Sequence, residues 1–180
     1  MAPINAWANS GVPMIFVTLP LMAIGLLPVI FIEAYIIKKQ LNLQPMESVT
    51  ASAIANALAI IVGIPVTWAV LLILQLVSGG GRSYQLNPFF EKFLSITWQA
   101  TWLMPIESDS YWMVPVAMLV LFITFFFASW KIEYYIIKRI NETIDSNLVN
   151  TVCYQANLLT YTLFALGIIA WLARELYFRY

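Results

Sequence analysis

The chain reads as an all-helical membrane protein: four transmembrane helices, arranged as two parallel hairpins related by a pseudo-twofold axis, plus one interfacial amphipathic helix. Three observations predict this. Apolar residues make up 62% of the 180 positions and charged residues 10%, far below the roughly 25% charge of a soluble domain. Four stretches reach the roughly 20 apolar residues that a helix needs to cross about 30 Å of hydrocarbon. Finally, residues 32–39 (IEAYIIKK) recur as residues 132–139 (IEYYIIKR), identical at six of eight positions, and each copy closes a long apolar segment. Asn56 follows Glu33 by 23 residues and Asn157 follows Glu133 by 24, so the recurring unit is a whole hairpin.

The first hairpin is expected over residues 13–78. Its first span carries Pro20 and Pro28 and is stopped by Lys38 and Lys39; each proline removes a backbone donor, so the helix should bend and lean on its neighbours. A polar turn over 40–49 offers Glu47 or Ser48 near the cap of the second span, from about Thr50. That span opens with Ala51, Ser52, Ala53, Ala55, Ala57, Ala59 and Gly63, small residues that let helices approach closely in lipid. Gly63 and Pro65 predict a kink, and the bulky stretch from Trp68 to Val77 faces lipid. The uncharged residues 1–12, with Trp7 as a headgroup anchor, precede this hairpin.

Residues 79–111 form a loop that begins with Gly79, Gly80 and Gly81, a flexible linker, since no GKS or GKT follows to make a phosphate loop. Within it, residues 88–103 form an amphipathic helix, with Glu91, Ser95 and Gln99 on one face and aromatic residues on the other. It is too short to span. It should lie in the interface as a lid on the bundle, or present Phe89, Phe90, Phe93, Trp98 and Trp102 to a partner or to lipid. The second hairpin is expected over residues 112–174, bounded by Tyr111 and Trp112 at one interface and Trp130 near the other.

Charge and ligand chemistry narrow the function. Formal net charge is zero without a basic patch, which argues against nucleic acid as a partner. With no histidine and one cysteine, Cys153, the usual ligands for zinc, haem or an iron-sulfur cluster are missing, and no cofactor is expected. A bound lipid or pigment would have to rely on Asn, Gln, water or backbone carbonyls. Neither HExxH nor GxSxG occurs, so the reading is non-enzymatic.

The chemistry that stands out is Glu33 with Asn56 and Glu133 with Asn157. By helical rise, each Glu and its Asn lie at similar depth from their hairpin turn, so the two side chains are within reach. A carboxylate inside a membrane helix is costly and is a functional hypothesis by default. Two readings stand. In the first, each pair is a structural clamp, with Gln155 nearby and Lys131 able to neutralise one carboxylate across the pseudo-twofold. In the second, the pairs serve an ion or proton path. The pair occurs twice where a path needs only one, which favours the clamp.

IEAYII followed after a short polar turn by SAIANALAIIVGIPVTW resembles a pattern found in small uncharacterised bacterial membrane proteins. Over residues 25–68 it is also similar to the start of the cyanobacterial filament integrity protein family, whose first hairpin has a Glu at one helix end and Asn and Gly in the next. The expected setting is a bacterial inner or thylakoid membrane, and no catalytic residue carries over from the resemblance. Five cationic residues near the hairpin turns (Lys38, Lys39, Lys131, Lys138, Arg139) against four opposite (Arg82, Lys92, Arg174, Arg179) lean toward cytoplasmic turns and non-cytoplasmic termini. The leading expectation is a non-enzymatic accessory or scaffolding subunit that contacts other membrane subunits and lipids. The alternative is a small homo-oligomeric transporter or channel.

Overall fold

A computed structural model describes residues 14–79, 89–98 and 110–178, and every secondary element among them is helical. The helices are α1 (Met14–Leu41), α2 (Pro45–Gly79), α3 (Phe89–Trp98), α4 (Ser110–Ile140) and α5 (Ser146–Tyr177). The expected N-terminal segment with Trp7, the end of the glycine linker, and Gln99 to Asp109 with Trp102 lie outside the described residues. Among the described residues, three helices, α2, α4 and α5, are long and apolar enough to cross a membrane.

The long helices pack as a ring, α1 beside α2, α2 beside α4, α4 beside α5 and α5 beside α1, with α1 and α4 also meeting across the middle. The face that α4 turns inward is a ridge at every fourth residue: Met113, Ala117, Leu121, Phe125, Ser129, Glu133 and Ile137 are all buried. On α2 the inward face is made of small groups. Ala51, Ser52, Ala55, Ala59 and Gly63 are buried there, whereas Ala57 is exposed and Ala53 only half-buried. Beyond Pro65, Leu71 turns inward while Trp68, Ile73, Leu74, Leu76 and Val77 are exposed.

Two apolar layers frame the centre. At the hairpin-turn end, Ile37 and Leu41 of α1 meet Ala51 of α2, Ile137 of α4 and Val149, Val152 and Cys153 of α5. Ile37 and Ile137 occupy the same position in the repeated octapeptide and are both fully buried. At the other end, Leu71 and the α4 ridge enclose Ile96 of α3, and Phe89 stacks on Trp112 with ring centroids 5.7 Å apart. That contact makes α3 a cover on α2 and α4. It runs for 10 residues, and its Phe93 is exposed.

The helix ends differ from expectation at the first turn. Lys38 and Lys39 do not stop α1, which continues to Leu41 and is ended by Asn42 in the left-handed region (φ 55°), a conformation Asn tolerates. The second helix starts at Pro45 rather than near Thr50, because proline's fixed φ suits the first helical position. Glu47 accepts from the backbone N–H of Gln44 at 3.2 Å, one half of a capping box. At the second turn, Lys138 Nζ donates to the carbonyls of Glu142 (2.7 Å) and Ile144 (2.6 Å). Asp145 caps α5 by accepting from the N–H groups of Asn147 and Leu148, both at 2.9 Å. Asp145→Ala should therefore cost about 1 kcal/mol, read as a lower unfolding midpoint in detergent with the native mass unchanged.

Candidate functional site

The site is the polar layer between the two apolar ones. Glu33 and Glu133 sit one helical turn before Ile37 and Ile137 and point inward with them; they are 0% and 2% exposed. Asn56 donates through Nδ2 to Glu33 Oε2, and Asn157 donates through Nδ2 to Glu133 Oε2. Each amide also donates to the carbonyl one turn back on its own helix, Asn56 to Ser52 at 3.0 Å and Asn157 to Cys153 at 2.9 Å. These second bonds, each within one helix, fix the direction in which the amides point at the carboxyls.

The halves diverge at the remaining oxygens. Glu33 Oε1 accepts from Thr160 Oγ1 at 2.9 Å, a bond from α5 that joins the two hairpins. Within the first hairpin, Ser52 Oγ donates to the Ile30 carbonyl at 3.3 Å, tying α2 to α1. Glu133 Oε1 is buried, and no donor among the described residues reaches it. Its carboxyl group instead touches that of Glu33, a contact that becomes a hydrogen bond when one of the two carries a proton. A sequence signal for this difference exists. Shifted by the 101 residues that separate Asn56 from Asn157, Thr160 falls on Ala59, so the first half has no hydroxyl to offer Glu133.

Two residues expected beside the carboxyls are elsewhere. Lys131 is exposed, its ammonium 3.8 Å from the centre of the Trp130 ring, a cation–π contact. Gln155 is also exposed and accepts from Gln40 Nε2 at 3.1 Å, tying α1 to α5 outside the bundle. Tyr35 and Tyr135 are exposed at matching positions of the repeat. Of the aromatic residues expected to form a partner surface, Phe89 and Phe93 are exposed on α3. The side chains of Phe90 and Trp98 lie outside the described residues, as Trp102 does.

Chemically, the layer consists of two carboxyls, two amides and two hydroxyls, those of Ser52 and Thr160, nearly all engaged with one another. Family models, curated proteins and solved structures were each compared with the chain, and none matches it.

Proposed function

We propose that the chain is a non-enzymatic accessory or scaffolding subunit of a larger membrane assembly. In this reading it has four spans, α1 being the fourth, in two parallel hairpins related by a pseudo-twofold. The carrying observation is that the buried carboxyls are spent on neighbouring helices: Glu33 on Asn56 and Thr160, Glu133 on Asn157. A polar group used this way fixes register and helix order in a lipid solvent, where apolar packing alone discriminates poorly. The helix neighbours support the symmetry, because exchanging α1 with α4 and α2 with α5 leaves the ring of contacts unchanged. At 28 residues and about 42 Å, α1 is long enough to span. The proposed setting is a bacterial inner or thylakoid membrane with the hairpin turns cytoplasmic.

One observation favours the transport alternative, namely the Glu133 oxygen that no donor reaches. Purification in mild detergent, with native mass and identification of bound proteins, separates the two. Foreign subunits at fixed stoichiometry are the expected result. A lone homo-oligomer that carries ion or proton flux, with the flux lost in Glu133→Gln, would replace this reading with transport.

A further inference from the structure

A cavity of about 570 Å³, within the range of small-molecule sites, lies between the four long helices and opens to the surface where Ile24, Phe164, Gly167 and Trp171 are exposed. On α4 its lining runs from Ser129 to Met118 and on α5 from Thr160 to Trp171, the ends eleven positions apart on each helix, so it is about 16 Å long. Most of that length is apolar. Phe122 meets Tyr161 and Phe164 edge-to-face, at centroid distances of 5.6 and 6.3 Å, and forms much of one wall. Gly167 leaves a gap in the lining, since a Cβ built there would meet nothing within 4 Å.

Four polar side chains of the lining, Asn56, Ser129, Thr160 and Tyr161, lie together at one end, and the Trp171 indole lies at the other. Ser129 Oγ and Tyr161 Oη are 2.9 Å apart, and the bond between them uses one of their two hydroxyl protons. The other proton has no acceptor among the described residues, although Ser129 is only 6% exposed. Asn56, which lines the same end, commits Nδ2 to Glu33 and Ser52, and its Oδ1 accepts from no described residue. This end therefore offers one free hydroxyl proton and, beside the lone pairs of the two hydroxyls, the Asn56 amide oxygen as an acceptor at the foot of an apolar shaft. Within a bilayer, water is not at hand to satisfy them.

We infer that this cavity binds a lipid alcohol, a single apolar chain ending in a hydroxyl group that accepts from Ser129 or Tyr161 and donates to Asn56. A hydroxyl is the smallest neutral head that answers both groups. A carbonyl head would leave the Asn56 oxygen without a donor, and a phosphate head would bring charge into an apolar shaft. The inference goes beyond the scaffold reading and does not depend on it.

The test uses the full chain, delipidated and reconstituted in nanodiscs, with radiolabelled farnesol as probe and farnesyl methyl ether as the probe lacking the donated proton. Wild type should bind one farnesol per chain saturably, and the ether about tenfold more weakly. Gly167→Leu, which fills the gap, and the double variant Ser129→Ala/Tyr161→Phe, which removes both hydroxyl donors, should each weaken farnesol binding about tenfold. Gly167→Leu should do so while leaving the melting curve in place, and it carries the test alone if the double variant does not fold. Non-saturable uptake equal in all variants, saturable binding indifferent to Gly167→Leu, equal binding of the ether, or a retained phospholipid that farnesol cannot displace would each overturn the inference.

Discussion

Replacing Glu33 by Ala should lower the stability of the detergent-solubilised protein by about 2–4 kcal/mol, the range for deleting a large buried side chain together with the bonds it accepts. The loss removes the acceptor for Asn56 and for Thr160 and opens a void at the centre of the polar layer. Denaturant titration in mixed micelles reads it directly. Glu33→Gln should be milder, because its amide oxygen still accepts from Asn56 and its nitrogen can donate to Thr160. Glu133→Gln should be as stable as wild type. Its oxygen takes the Asn157 bond, and its nitrogen places a donor where Glu133 Oε1 has none, against the Glu33 carboxyl. If Glu133→Gln is instead as damaging as Glu33→Ala, the layer is not held together by this pattern of donors and acceptors.

Gly63 should be the least tolerant small residue on α2. A Cβ at this position lies 3.0 and 3.1 Å from two ring carbons of Phe125, which is 2% exposed and enclosed by the α4 ridge and α3. The ring cannot give way without moving the core, so Gly63→Ala should cost about 1–3 kcal/mol, the usual toll of overpacking, and Gly63→Val should lose most folded yield. Phe125→Leu in the Gly63→Ala background should recover much of the loss, a coupling that a double-mutant cycle measures. Gly25 is the internal control. A Cβ there meets the Phe164 ring at 3.1 Å, but that ring is 36% exposed and borders the open cavity, which gives it room to shift, so Gly25→Ala should have little effect on the same titration.

The helical class and the membrane character were legible in the sequence because both rest on long apolar runs, which need no tertiary information. The Glu–Asn spacing was legible for a similar reason: within a hairpin, equal distances from the turn mean equal depth. What lies between hairpins was not. The Thr160 bond to Glu33 depends on α5 lying beside α1, and nothing in the local pattern of either helix states that neighbour. Lys131 was expected to reach a carboxylate across the pseudo-twofold, but a position two residues from the inward-facing Glu133 lies on the opposite side of α4, where Trp130 offers its ring face. Helix ends were read too early at Lys38 and too late at Thr50, since cationic residues complement a helix end without terminating it, whereas Pro45 marks a beginning. The spare oxygen of Glu133 followed from an alanine at position 59, visible in the sequence but informative only once the hairpins are set against each other.

The hydroxyl of Thr160 has a consequence for how such a chain can be divided. Two copies of the first hairpin would present Ala59 where Glu33 now finds a donor, so that pairing would leave both carboxyls short. A first hairpin co-expressed with a second one as separate polypeptides keeps the complete set. The two hairpins are thus complementary rather than interchangeable, and their linkage in a single chain guarantees equal amounts of two partners that do not substitute for one another.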